Sequence, residues 1–539
     1  MRTPRTRSRG LVGGAACAAV ALLLLVVAAA AEAGAGGKFA LKHVPADDVQ
    51  GGLAASLLDT PHRATEKRRR LLTQTQNQGA KPSYALYSVV SGNASAAEDV
   101  EASEVVEATS ELFGSVMKTG YYAMELLLGT PPQPFQVIVD TGSTITYVPC
   151  SFCGDRCGVH ASQPFDPQRS RTASFINCMS GMCATFCGSR RCGCRPSLEF
   201  LGDIALPMMS VCSYSRKYQE QSSSKGLLLT DTLSLNQVGH FPFGFGCETE
   251  ETGQIYSQQA DGVVGFGNNP SSIVNQLVLQ GAMPNTFSLC VGGLGGGGAI
   301  FLGDQGVPSL PVDDGTIGGG GEGPVMRYAQ LQDDPENPEF YSVRLKAIRV
   351  GSNQLNVPPA VYQRGYGGVV DSGTTFLYLP AEAHAQFNQI LEAEVAKHPD
   401  RVRRVPSPDP RYPEDLCYAS TPYLANALLF RQHGRGDQRQ SEAEREAAAG
   451  ALLEVFPNIT MEMAAAGDPT GARSVEVQFS PANYLFRMAS ASAPGFCVGV
   501  YNNGDAGVLL GSVLMRNHLV NFDLRNKRIG FAEYDCDAL

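Results

Sequence analysis

Two segments of this 539-residue chain carry the same chemical signature: Val137-Ile-Val-Asp-Thr-Gly-Ser-Thr144 and Gly368-Val-Val-Asp-Ser-Gly-Thr-Thr375. Each places a carboxyl group at the end of an apolar run, so the chain carries it toward a dry interior. One copy alone is an ordinary turn, because Asp, Gly and Ser favour turns. The pattern Asp-[Ser/Thr]-Gly-[Ser/Thr] arises from composition only about 0.05 times in such a chain, and here it occurs twice, 231 residues apart. Two carboxyls held in contact cannot both ionise, so one pKa falls and the other rises. The ionised member can take a proton from water that attacks a peptide carbonyl. The protonated member can donate to the carbonyl oxygen, and a proton then reaches the leaving nitrogen. Asp140 and Asp371 are therefore the candidate catalytic pair. Gly142 and Gly373 permit a tight turn with backbone N–H groups near the carboxylates. Ser143 and Thr374 can donate hydroxyl hydrogen bonds to them, and Thr141 and Ser372 can bond across between the two loops.

Positioning such a pair calls for a duplicated scaffold. Each copy is followed by a second apolar-apolar-Gly element, Asp261-Gly-Val-Val-Gly-Phe-Gly267 after the first and Gly507-Val-Leu-Leu-Gly511 after the second. Ordered patterning begins at Tyr121, where Tyr122–Leu128 and Phe135–Val139 flank the turn cluster Gly129-Thr-Pro-Pro-Gln-Pro134, a strand–turn–strand pattern. Short apolar runs recur to the end, and the 59 glycines and 33 prolines supply turns. Helices are expected only over Ser271–Gln280, Ala381–Lys397 and Ser441–Val455, with a further helical stretch over Glu98–Leu112. The class is mainly β. Gly315–Gly323 and His433–Ala449 read as loop insertions.

The length suggests two lobes plus additional segments. A formal net charge of -10 argues against a nucleic-acid binder, which needs a basic footprint. Arg2, Arg5, Arg7 and Arg9 precede an uncharged run from Gly10 to Ala31, and Ala31-Glu32-Ala33 offers a small-x-small cleavage site. This is the pattern of a signal peptide, or of a membrane anchor if it is not cleaved. Cys17 lies inside it. The other 14 cysteines form an even set in an oxidising context and read as disulfides: Cys150, Cys153, Cys157, Cys178, Cys183, Cys187, Cys192, Cys194, Cys212, Cys247, Cys290, Cys417, Cys497 and Cys536. The competing reading is zinc, from Cys150-x-x-Cys153 and Cys192-x-Cys194. Asn93 and Asn458 head glycosylation triplets. The cluster Lys67-Arg-Arg-Arg70 reads as a processing site or a solvated charge run.

The motifs together resemble the pepsin-like aspartic proteases, more narrowly the cysteine-rich, nepenthesin-like branch of plants and algae. The similarity covers about Tyr121 to Cys536 and rests on Gly129-Thr-Pro-Pro, Asp140-Thr-Gly-Ser, Ala260-Asp-Gly-Val-Val-Gly, Asp371-Ser-Gly-Thr-Thr, and Leu509-Leu-Gly with Arg516-Asn and Phe522-Asp. It implies a bilobal fold of two related six-stranded-type β lobes with the active-site cleft between them. It also implies a signal segment (1–33), a removable pro-segment (34–118), an N-terminal lobe (119–305) with a cysteine-rich insertion (150–194), and a C-terminal lobe (306–539) with a loop insertion (431–450). The family closes a tyrosine-bearing flap over substrate. In Cys212-Ser-Tyr-Ser-Arg-Lys-Tyr-Gln-Glu-Gln-Ser222, Tyr218 matches the flap tyrosine, with Ser222 on the same flap and Tyr214 packed in the strand. Gln219 and Gln221 replace a tip that is usually glycine-rich. Tyr147 takes the place of a flap-supporting tryptophan, and the chain has none. The implied partner is an extended peptide or protein, bound by a monomer in the secretory pathway, a vacuole or outside the cell, without metal or organic cofactor. Association with a membrane would require retention of the N-terminal segment as an anchor. Some relatives keep the fold and act as inhibitors or peptide-binding proteins, the alternative function.

Overall fold

A computed structural model describes residues 108–115, 120–187, 192–196, 210–218, 221–235, 239–293, 295–304, 307–313, 323–410, 412–422, 450–488 and 495–539. The segments expected to be a signal (1–33) and a pro-segment (34–118, with Asn93) lie wholly or mostly outside the described residues, as do most of the two expected loop insertions.

Each half of the molecule builds the same device around its aspartate. In the first half, strand Tyr121–Leu128 runs antiparallel to Gln133–Asp140. Strand Val263–Gly265 then lies parallel to the latter, pairing Gly265 with Asp140. In the second half, Ser342–Val343 is antiparallel to Gly368–Asp371, and Val508–Gly511 runs parallel to it, pairing Gly511 with Asp371. The duplicated apolar-apolar-Gly elements are thus the strands that flank the two aspartates. A glycine is required at each pairing position: a Cβ on Gly265 would lie 2.5 Å from the Thr144 carbonyl carbon, and one on Gly511 would lie 2.8 Å from the Thr374 carbonyl oxygen.

The halves share a continuous ladder. Ala108–Ser115 pairs with Gly298–Leu302, which pairs with Thr286–Val291; this in turn pairs with His518–Asp523, then Arg528–Glu533, then Met326–Gln332. Phe287 from the first half stacks on Phe522 from the second at 4.4 Å, and Tyr341 meets Phe522 edge-on at 5.0 Å. Such rings bury large apolar surfaces. The two lobes therefore rest on one joined sheet with a common core rather than on separate ones. Two four-stranded sheets complete the second lobe.

Helix Ile273–Leu279 is capped by the Ser272 hydroxyl, which accepts from Asn275 N–H. Helix Ala381–Val395 buries Ala383, Phe387, Leu391 and Val395, one residue per turn on a single face. Full burial of each of the three larger side chains contributes roughly 1.5–3 kcal/mol. Of the stretch 441–455, residues 450–453 are helical. The helix expected over Glu98–Leu112 is corrected at its end: Ala108–Ser115 is a strand. Its backbone pairs with Ala299–Leu302 and then with Tyr121–Met124, and Leu112 is buried in the common core. Tertiary pairing outweighs local helix propensity there. The ordered sheet accordingly begins ahead of the boundary expected at 119.

Candidate active site

The two Asp-bearing loops meet where the lobes join. Thr141 Oγ1 donates to Val370 O at 3.1 Å and accepts from Ser372 N at 2.9 Å. Ser372 Oγ donates to Val139 O at 2.7 Å and accepts from Thr141 N at 3.1 Å. These four bonds form a reciprocal lock across 231 residues of sequence, inside a region where Thr141 and Ser372 are buried. The lock brings the carboxyls together. A Cβ on Gly142 would lie 2.6 Å from Asp371 Oδ1, and one on Gly373 would overlap Asp140 Oδ1. Each glycine N–H donates to its own loop's carboxyl, Gly142 to Asp140 at 2.8 Å and Gly373 to Asp371 at 2.9 Å. Thr374 Oγ1 donates to Asp371 Oδ2 at 2.7 Å. Ser143 Oγ is buried near Asp140 and favours its ionised form, but it completes no hydrogen bond of good geometry. The two loops are therefore not fully equivalent.

Burial, and then the charge of Asp371, push Asp140 up to about 7. Burial also raises Asp371, against the lowering effect of Thr374 Oγ1 and the Gly373 N–H. Asp371 accepts from Thr374 Oγ1 whereas Asp140 has no comparable hydroxyl bond, which favours the ionised form on Asp371. One shared proton is what two such carboxyls at contact require, as is known for aspartic proteases generally.

A hairpin of Ser210–Lys217 and Ser223–Leu235 lies over this loop region. Side chains alternate across a strand, and Tyr214, Arg216 and Tyr218 share a face. Tyr218 Oη donates to Tyr147 Oη at 2.8 Å. The Tyr214 and Tyr147 rings lie 5.9 Å apart, and Tyr214 Oη bonds Ser224 Oγ at 2.9 Å. Tyr147 is buried and fixed by the strands at Gly246 and Val263. Ser222 is fully buried, and its hydroxyl accepts from Gln254 N at 2.9 Å. It anchors the turn rather than facing a ligand. Gln221 sits at φ 78°, a conformation that glycine adopts without steric cost.

All fourteen cysteines from Cys150 to Cys536 pair as disulfides: Cys150–Cys247, Cys153–Cys157, Cys178–Cys194, Cys183–Cys212, Cys187–Cys192, Cys290–Cys536 and Cys417–Cys497. The sulfurs of Cys183, Cys187 and Cys212 lie close together, but each belongs to a disulfide and none is a thiolate ligand. Cys183–Cys212 ties helix Gly181–Cys187 to strand Ser210–Lys217. Asn458 is exposed, as an acceptor for glycosylation requires. His518 is buried on a strand, its Nδ1 bonded to Arg516 O at 3.0 Å.

Two features escaped sequence reasoning. Arg216 Nη2 donates to Thr144 Oγ1 at 2.5 Å, bridging the hairpin and the Asp140 loop. The period-2 alternation from Tyr214 to Tyr218 was the signal available for it. Behind the hairpin, Glu248 is fully buried and neither carboxyl oxygen completes a hydrogen bond of good geometry, with Ser224 alongside it. Burial and the neighbouring Glu251 hold its pKa well above the usual carboxylate range. His160 Nε2 lies 3.4 Å from Glu251 Oε2 and its Nδ1 meets Ala260 O at 2.8 Å. Burial lowers the His160 pKa, but its contacts with Glu251, the Ala260 carbonyl and Asp261 together outweigh it and the net shift is upward.

Sequence comparison agrees with this geometry. Residues 122–304 match the family model described as Xylanase inhibitor N-terminal, and residues 340–430 and 444–533 match Xylanase inhibitor C-terminal. The chain belongs to the pepsin-like aspartic protease family. It is similar to Aspartic proteinase 36 of Arabidopsis thaliana, 26% identical over 442 residues that cover 78% of this chain and 75% of that protein. It is equally similar to Aspartic proteinase nepenthesin-1 of Nepenthes gracilis, 26% identical over 429 residues, 78% of this chain and 79% of the relative.

Proposed function

We propose that this chain is an aspartic endopeptidase that hydrolyses peptide bonds with Asp140 and Asp371. The observation that carries the reading is the locked pair of buried carboxyls, each held by its own Gly N–H and tied across the lobes through Thr141 and Ser372. Asp371, ionised, takes a proton from a water between the carboxyls as the water oxygen bonds to the scissile carbonyl carbon. Asp140 gives its proton to the carbonyl oxygen. The tetrahedral diol then collapses, the C–N bond breaks, and the leaving nitrogen receives the proton held by Asp371 while Asp140 regains one from a diol hydroxyl. Tyr218, braced by Tyr147, covers the bound peptide, whose main chain pairs with the hairpin edge. The seven disulfides support a secretory or extracellular setting.

A second reading, an inactive binding or inhibitor protein, is favoured by the name of the matched family model. Retention of both aspartates, Thr374 and the cross-lobe lock weighs against it.

The test is cleavage of a denatured protein at acidic pH by the full chain secreted from an oxidising host. It is run with and without pepstatin, beside an Asp140→Asn, Asp371→Asn double variant. Pepstatin-sensitive cleavage that the variant lacks is the expected result. A folded, processed protein that cleaves nothing refutes the peptidase reading in favour of the binding protein.

A further inference from the structure

Glu248 and Glu251 stand three residues apart on strand Gly239–Thr252, a spacing that sets side chains on opposite faces of a regular strand. A β-bulge brings them together. Lys225 of the hairpin pairs with Glu250, and the next residue, Gly226, pairs with Glu248, so Thr249 is the extra residue. The carboxyl oxygens of the two glutamates lie within 4.8 Å of each other, and both side chains are buried. Their surroundings are unequal. Glu251 Oε2 accepts from Gly158 N at 2.9 Å and faces His160 Nε2 at 3.4 Å, contacts that favour a carboxylate. Glu248 completes no hydrogen bond of good geometry and has only the Ser224 hydroxyl alongside it. The pair therefore holds its charge on Glu251 and its proton on Glu248.

Glu248 also lies beneath the tyrosines of the hairpin. A Cβ on Gly226, its partner across the ladder, would lie 2.7 Å from Tyr214 Cε1. Tyr214 bonds Ser224 at 2.9 Å and meets the Tyr147 ring, and Tyr147 accepts from Tyr218 at 2.8 Å. Burial keeps Tyr147 and Tyr214 uncharged. Among the described residues, the cation next to the pair is His160, which Glu251 already engages and which also feels Asp261. Lys225 bonds Glu250 instead at 2.5 Å, and Asp155 and Arg156 of the neighbouring turn are exposed. An ionised Glu248 thus puts a second negative charge into a space closed to water. Parting the hairpin from strand Gly239–Thr252 is the movement that hydrates it, and that movement draws Ser224, Tyr214 and Tyr218 away from the Asp140 side.

We infer that Glu248 is a positioning residue: uncharged, it lets the hairpin seat its tyrosines over the Asp140 loop, and its ionisation beside Glu251 unseats them. The inference rests on the proteolytic reading above, in which Tyr218 covers the peptide.

The test separates this group from the dyad, which also titrates. KM and kcat for one peptide are measured from about pH 4 to about pH 7 on the full chain, secreted and processed. In the wild type KM rises about tenfold across this range. In Glu248→Gln it stays level, while the decline of kcat that the dyad imposes is common to both. Glu251→Gln removes the like charge and moves the rise in KM to higher pH, which keeps the test open if Glu248→Gln fails to fold. Hydrogen exchange of strands Ser210–Lys217 and Ser223–Leu235 is then followed in the Asp140→Asn, Asp371→Asn chain, where the dyad cannot titrate. Their protection factors are expected to fall about tenfold over the same range with Glu248 and to hold with Glu248→Gln. A level KM in the wild type, or the same rise in all three chains, overturns the assignment of Glu248 alone. A wild type that cleaves nothing overturns the proteolytic reading, and the exchange measurement then decides Glu248 by itself: protection that ignores its ionisation overturns the assignment too.

Discussion

Ser372→Ala removes one oxygen and breaks half of the lock between the lobes. Ser372 Oγ donates to Val139 O and accepts from Thr141 N. Both partners are buried, Val139 at 2% and Thr141 at 0% exposure, so no bulk water replaces the lost bonds. An unsatisfied buried backbone group costs about 1–3 kcal/mol, and two of them about 2–6 kcal/mol. Against a typical total of about 5–15 kcal/mol, that is a large share. The same bonds set the spacing of the carboxyls, and a misplacement of about 1 Å costs on the order of 10²-fold in rate. The assay pairs thermal or urea unfolding with kcat/KM for pepstatin-sensitive cleavage, on Ser372→Ala, Thr141→Val and the double variant. Strong non-additivity is expected, because each residue is both donor and acceptor to the other's loop. Ser372→Thr keeps the hydroxyl and is expected to retain most of both properties. The reasoning is refuted if Ser372→Ala changes stability by less than about 0.5 kcal/mol and leaves the rate within a small factor of wild type.

Further outcomes follow from the same geometry. Gly142→Ala would place a methyl 2.6 Å from Asp371 Oδ1, so it should abolish cleavage and pepstatin binding together while the disulfide-linked lobes remain folded, as circular dichroism would show. Tyr147→Phe removes the acceptor of the Tyr218 hydroxyl; a net loss of about 1 kcal/mol corresponds to roughly a fivefold fall in kcat/KM, and no change would mean the pair does not position the flap. Stability should fall as pH rises. Asp140 has a folded-state pKa raised to about 7, and those of Asp371 and Glu248 are also raised. Such groups hold protons that the unfolded chain has already released, so their stabilising contribution is full below about pH 4 and is lost as pH climbs through the folded values. Glu248→Gln cannot ionise, and its melting temperature should decline less between pH 5 and pH 8 than that of the wild type; an identical decline would exclude Glu248 as a source.

What was legible in the sequence was whatever repeats or alternates. The two Asp-[Thr/Ser]-Gly-[Ser/Thr] segments and their downstream partners announced a duplicated β scaffold, because strand periodicity and turn chemistry are local properties. The even cysteine count announced disulfides, but pairing depends on which strands become neighbours, so Cys183–Cys212 and Cys187–Cys192 emerged only from the fold. The strand at Ala108–Ser115 was misread for the same reason: its pairing partners include Ala299–Leu302, nearly two hundred residues away. Ser222 carried a flap spacing, yet its hydroxyl points to the backbone at Gln254.

Sequence by itself determined that two carboxyls of matched surroundings exist and that hydroxyls and glycines flank them. Tertiary structure alone decided that the carboxyls meet, that Thr141 and Ser372 lock them, and that Ser143 leaves the pair asymmetric. It also decided that the hairpin's Arg216 reaches Thr144 and that Glu248 is sealed behind the hairpin beside Glu251. The division has a physical cause. Propensity and periodicity act over a few residues of chain, whereas a shared proton, a shifted pKa or a buried hydrogen bond depends on distances of a few ångströms between atoms that the chain separates by hundreds of residues.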